Sequence, residues 1–277
     1  MTSKKGRGRL RFALCIALLA TGVVFASIAA AQGRGGGPAR SARDSALIDL
    51  TGQWVAVVNE DWRWRMITPP VGDVSSLPVN ARGRAAAAAW DLERDRADGQ
   101  LCKAFAGPGL IRQPTRIRAS WDDDDTLLLE FDAGRQTRRL EFGAAAPPAE
   151  PDLQGYSQAA WFSQRLQRGV FGASASPSGA LHVVTTHFTP GYLRPNGVPF
   201  SEQATMKEYF HVFSLPGDGG TWLIVTTVVD DPVYLSSELV MSTQFRKEDD
   251  RSNWNPRPCD ISPPLIEREP APPGPFG

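Results

Sequence analysis

The stretch from Thr115 to Phe142, TRIRASWDDDDTLLLEFDAGRQTRRLEF, decides the fold. Its first part, Thr115–Trp121, alternates apolar and polar residues, which is typical of a half-buried strand. The aspartates at 122–125 and the Ala133-Gly134 pair are turn sequences, and each is followed by another β-prone run. The stretch therefore predicts a meander of three antiparallel strands.

Further β-prone runs and one helix surround this meander. Asn80 is a good helix cap and precedes an alanine-rich segment, so we expect a helix over Ala81–Asp98. A chain of about ten short strands must close or stack its sheet to remove exposed edges. We therefore predict an all-β domain with one helix, folded as an antiparallel up-and-down barrel of the lipocalin (calycin) kind, with a two-sheet β-sandwich as the alternative. The further predicted strands are Thr51–Val58, Trp62–Thr68, Tyr156–Arg165, Leu181–Thr189, Ala204–Phe213, Trp222–Asp230 and Leu239–Arg246.

The N-terminus has the three parts of a secretory signal. A basic start is followed by an uncharged apolar run from Phe12 to about Ala30, and small residues then precede Gln32. We expect cleavage near Ala31 and a periplasmic or secreted protein. The alternative is an uncleaved anchor, because the apolar run approaches the ~20 residues that span a bilayer.

Composition divides the remaining chain into three parts. Residues 32–47 are rich in Gly, Ala, Ser and Arg and predict a flexible linker. Residues 48–262 carry the predicted strands and form a single β-barrel-like domain. Residues 263–277 are rich in proline with few apolar residues, which predicts a disordered tail.

Charge argues against two classes of partner. The signal holds five of the 30 basic residues and none of the 30 acidic ones, so the mature chain has a formal charge of −5. A mildly acidic protein is poorly suited to nucleic acid or anionic membranes. We expect no nucleic acid partner and no stable membrane insertion after cleavage.

Two cysteines, Cys102 and Cys259, follow the signal segment. In an oxidising compartment, such a pair most simply forms a disulfide. Two cysteines are too few for a zinc site, and the three histidines form no metal-binding pattern. We therefore predict no metal and no cofactor.

The late strands bring candidate site residues to one rim. If Leu181–Thr189 and Trp222–Asp230 point the same way, the loops that follow them share one end of the barrel. His187 with Asp230 or Glu208 is a candidate acid–base pair. The alternative is that these residues only shape loops. Ligand-binding candidates at this rim are Tyr192, Arg194, Asp231 and Tyr234.

Several segments resemble a group of uncharacterised secreted bacterial proteins, which begin with a signal peptide and continue as a β-rich domain. The resemblance spans roughly residues 49–260 and implies export and a single β domain, with no activity attached. It is carried by the segments Glu60–Met66, Gln136–Arg138, Gly191–Pro199, Lys207–Phe210 and Val225–Pro232.

Three functions remain open from the sequence. The leading hypothesis is an exported barrel that binds a small organic molecule in its cavity, because closed barrels of this size offer one. The second is a secreted hydrolase, lyase or isomerase that uses the acid–base pair in that cavity. The third is an envelope structural or partner-binding protein. The oligomeric state is not indicated by any motif.

Overall fold

The computed structural model describes residues 40–143, 146–164 and 178–265. The predicted signal peptide, residues 1–31, lies outside these ranges, as do half of the predicted linker and most of the predicted tail. All elements named below belong to the compact unit that begins at Ser41. Within the described ranges, no helix has both the length and the apolar character needed to cross a bilayer.

The main body is a closed β-barrel, which confirms the predicted all-β class and excludes the two-sheet sandwich. Around the ring the order is β1-β11-β10-β9-β6-β5-β4-β3-β2, and β7 and β8 form a separate two-stranded sheet. The strands are β1 (Gly52–Val57), β2 (Arg116–Trp121), β3 (Thr126–Phe131), β4 (Gln136–Phe142), β5 (Tyr156–Gln164), β6 (Ser178–Thr186), β7 (Gly191–Arg194), β8 (Val198–Phe200), β9 (Thr205–Ser214), β10 (Thr221–Asp230) and β11 (Leu239–Glu248).

The barrel departs from a purely antiparallel arrangement at one pair of strands. β4 and β5 run parallel, with Leu140 opposite Ser157, whereas the other neighbouring pairs of the ring are antiparallel. A closed ring with an odd number of strands requires at least one parallel pair, because directions cannot alternate all the way round. The connection from β4 to β5 must therefore return along the barrel before β5 begins.

Helices are more numerous and shorter than predicted. They are α1 (Trp62–Arg65), α2 (Ala81–Ala88), α3 (Leu92–Ala97) and α4 (Gly107–Leu110), with a 3₁₀ helix at Leu101–Phe105. Asn80 caps α2 by accepting a hydrogen bond from the Gly83 amide, as predicted. The predicted helix nevertheless breaks before Asp91, whose carboxylate caps α3. The predicted strand Trp62–Thr68 is wrong, since its first residues form α1.

The barrel interior is filled by side chains. Trp54, Phe131 and Phe245 are among the largest, and each is at most 1% exposed. These side chains come from β1, β3 and β11, which lie close together in the ring, and they belong to one core cluster. The interior is therefore a packed core in this region.

The connections that follow β1, β6 and β10 leave the barrel at the same end, which we call the capped end. It is the end where β1, β6 and β10 finish, and the segments 58–115, 187–204 and 231–238 all start there. Their apolar residues form a second core cluster that includes Val79, Phe188 and Phe200. At the opposite end, a short turn over residues 122–125 joins β2 to β3.

Two further segments are tied to the barrel. Cys102 and Cys259 form the predicted disulfide, which holds the C-terminal segment beside the 3₁₀ helix. Residues 41–47, predicted as part of the linker, lie against the barrel instead. The Ala42 amide donates to Asp125, and the Ala42 carbonyl accepts from the Trp161 indole, both at 2.7 Å.

Candidate functional site

The three predicted acid–base residues lie in different environments. His187 is exposed at the end of β6, and its Nδ1 lies 3.0 Å from the Thr186 hydroxyl. Asp230 is exposed at the end of β10. Glu208 is fully buried in β9, where its carboxylate binds Arg138. Among the described contacts, none joins His187 to either carboxylate.

Asp231 and Tyr234 hold the loop between β10 and β11. The buried Asp231 carboxylate accepts hydrogen bonds from the Ser201 amide and hydroxyl at 2.7 and 2.8 Å, and from the Val233 amide at 2.9 Å. Tyr234 is half-buried, and the Arg82 guanidinium lies 5.5 Å from its ring. These contacts fasten two loops of the capped end to each other.

Tyr192 is also engaged with protein groups. Its hydroxyl donates to Asp95 at 2.7 Å, and the Trp90 indole donates to the same carboxylate at 2.8 Å. Burial is the largest cause that raises the pKa of Tyr192, and the bond to Asp95 adds to it. Tyr192 therefore remains a neutral phenol that joins β7 to α3.

Arg194 differs from the other rim candidates, because its charged group lies against an aromatic ring and has no ion-pair partner among the described residues. It ends β7 and begins a turn through Pro195 and Asn196, in which the Gly197 amide bonds to the Arg194 carbonyl. The side chain is only 8% exposed, and its guanidinium lies 4.9 Å from the Trp64 ring centroid. Among the described residues it forms no ion pair, and Nη1 is buried without a hydrogen-bond partner.

Two further arginines, both from the connection between β1 and β2, lie next to Arg194. The Arg65 Nη1 is 2.7 Å from Glu60, and Nε donates to the Arg112 carbonyl. Arg112 contacts Glu60 at 3.2 Å and Asp61 at 2.7 Å. Arg65 keeps one buried donor, Nη2, without a partner in the described structure.

These groups surround a cavity of about 70 Å³, which we call the arginine cavity. Such a volume accommodates a few water molecules or one small acidic group. The start of β11 contributes the apolar residues Leu239, Val240 and Met241 to the lining, and Arg112 donates to the Ser242 carbonyl of the same strand. The lining residues include Asp61, Trp64, Arg65, Arg112, Arg194 and Met241.

Burial makes the charges in this cavity costly. It is the largest cause that lowers the pKa values of Arg65 and Arg194, both to about 10, and the charge of Arg112 lowers them further. Both guanidiniums remain protonated at neutral pH. The negative charge of an anion in the cavity would oppose the destabilising effects of burial and of the Arg112 charge on these guanidiniums. Planar guanidiniums also bind carboxylates through paired hydrogen bonds.

Sequence reasoning identified Arg194 but missed Arg65 and Arg112. The segment Trp62–Thr68 alternates like a strand, and that pattern concealed the helical turn that buries Arg65. The segments Glu60–Met66 and Gly191–Pro199 supply most of the charged residues that line the cavity.

The chain matches no protein-family model, no curated protein and no solved structure. Within the described ranges, no group of three or more His, Cys, Asp or Glu side chains is arranged to hold a metal ion. The arginine cavity is therefore argued from its own geometry alone.

Proposed function

We propose that this protein is exported and binds a small acidic molecule in the arginine cavity. The observation that carries the proposal is Arg194, a guanidinium that is 8% exposed and has a buried donor without a partner. A buried charge that lacks a partner is strongly unfavourable. A bound carboxylate or phosphate would supply that partner.

The geometry also supports selectivity for a planar or forked acid. Arg194 Nη1 and Arg65 Nη2 are free donors on side chains that line the same cavity. The Arg194 guanidinium lies over one face of the Trp64 ring, and the Trp64 indole donates to Asp73 at 3.1 Å. The receptor groups are therefore positioned before the ligand arrives, which reduces the entropy lost on binding.

Export belongs to the same proposal. It is supported by the pattern of the first residues and by the disulfide between Cys102 and Cys259. Disulfides persist in oxidising compartments, such as the bacterial periplasm, and are rare in the cytosol. An extracytoplasmic binding protein would meet its ligand before or during uptake.

The proposal is tested by calorimetric titration with benzoate, and with benzyl alcohol as the uncharged analogue. We expect benzoate to bind and Arg194→Gln to weaken it at least about tenfold, which corresponds to about 1.4 kcal/mol. Arg251→Gln is the matched control, because Arg251 is exposed beyond β11 and does not line the cavity. Equal binding of benzoate and benzyl alcohol, with no effect of Arg194→Gln, would refute the proposal.

A further inference from the structure

A second cleft lies beside the arginine cavity. Its volume is about 400 Å³, which is within the usual range for small-molecule sites. Two of its residues are apolar but well exposed, Met66 at 55% and Ile67 at 38%. Apolar surface of this kind is available for burial by a ligand. Its apolar walls also include Phe105, Pro114, Pro195, Pro258 and Ile261.

The two spaces share a wall. Arg65, Gln113 and Pro195 line both the arginine cavity and the cleft. Arg65 therefore borders both spaces, and its Nη2 is a buried donor without a partner in the described structure. A molecule whose apolar part lies in the cleft would bring an acidic end group to the side where Arg65 borders the arginine cavity.

Charge in and around the arginine cavity favours a single negative group. The residues that line the cavity include three arginines, Arg65, Arg112 and Arg194, and one carboxylate, Asp61. Arg65 and Arg112 are paired with Glu60 and Asp61. Arg194 has no ion pair among the described residues and keeps a buried donor without a partner, so one negative group would complete the pairing. In the cleft itself, Arg257 and Asp260 offset each other.

We infer that the ligand is a monocarboxylic acid with a medium-sized apolar body. Its carboxylate binds Arg194 and Arg65, and its apolar body lies in the cleft against Ile67 and Ile261. This inference rests on the proposed function, since it adds the apolar body to the acidic group already assigned. Each methylene that leaves water on binding tightens Kd about fourfold.

The test uses hexanoate, decanoate and decanol, titrated into the full mature chain by calorimetry below their aggregation concentrations. Decanoate has four more methylenes than hexanoate, so we expect it to bind roughly 250-fold more tightly when all four leave water. Arg194→Gln should weaken both acids at least about tenfold. Ile67→Ser should weaken decanoate about fivefold or more, and hexanoate less.

Val71→Ser is the matched control, because Val71 is 46% exposed and lines neither space. It should leave both Kd values unchanged, and equal Tm values for the two serine variants would show that folding is intact. Equal Kd values for hexanoate and decanoate, with both weakened by Arg194→Gln, would overturn this inference and leave the proposed function standing. Decanol binding as tightly as decanoate, unaffected by Arg194→Gln, would overturn the proposed function. Absence of binding by both acids would overturn both.

Discussion

Removing one partner of the buried Arg138–Glu208 pair should destabilise the barrel, whereas replacing both should not. Arg138 is 1% exposed and Glu208 0%, and they form two hydrogen bonds, Nη1 to Oε1 at 2.9 Å and Nη2 to Oε2 at 2.5 Å. Ser157 and Thr185 lie beside the pair and are 2.9 Å from each other. Water cannot take the place of a lost partner at such depth.

The magnitude follows from the burial of both charges. In Glu208→Leu or Arg138→Met alone, an uncompensated charge stays in the core, and the free energy of unfolding should fall by about 3–5 kcal/mol. In the double variant, two apolar side chains of similar volume meet, and the two hydroxyls still bond to each other. The double variant should therefore lie within about 1 kcal/mol of the natural protein or above it.

Urea unfolding of the four proteins, with the disulfide intact, measures these differences directly. The reasoning requires a large favourable coupling between the two substitutions. Single changes that cost less than about 1 kcal/mol would show that the group left without its partner is hydrated or, in the case of the Glu208 carboxyl group, neutral in the barrel. A double variant as unstable as the sum of the singles would show that packing, and not charge pairing, determines the cost.

Three further changes test the capped end and its supports by urea or thermal unfolding. Replacing Cys102 and Cys259 by Ser should lower the free energy of unfolding by up to about 5 kcal/mol, because the disulfide closes a long loop; an equally stable reduced natural protein would contradict this. Gly197→Ala should lower the free energy of unfolding by about 2 kcal/mol or more, since Gly197 has φ +78° and a Cβ would overlap the Trp90 ring. Gly217→Ala is the control and should cost less, because a Cβ at Gly217 would lie in open space. Asp231→Asn should cost about 2 kcal/mol or more by weakening three hydrogen bonds, and an unchanged Tm would argue against the role of Asp231.

Much of the barrel could be predicted because it depends on local patterns. The alternation in Thr115–Trp121 corresponds to β2, and the turns at 122–125 and 133–134 join β2, β3 and β4. The Asn80 cap also needs only its neighbours along the chain. A failure occurred where a local pattern was ambiguous, because Trp62–Thr68 has strand-like composition but forms a helical turn.

The role of a residue on a correctly predicted strand was harder to predict. Glu208 was a candidate acid–base group, but the ring places it opposite Thr227 in register and in contact with Arg138. Sequence alternation indicates that one face of a strand is buried. It does not indicate which charged residue of another strand shares that face.

The sequence by itself determined the β class and the cysteine pair, since each follows from residue types and their spacing. The closure of the sheet was decided by the tertiary structure, which excludes the two-sheet sandwich. Only the tertiary structure decided the arginine cavity. Arg65 and Arg112 come from the connection between β1 and β2, whereas Arg194 comes from the connection between β6 and β9, and they meet because both connections leave the same end of the barrel. The directions of the strands and the closure of the ring bring these arginines together. No local pattern of hydrophobicity or charge encodes those directions or that closure.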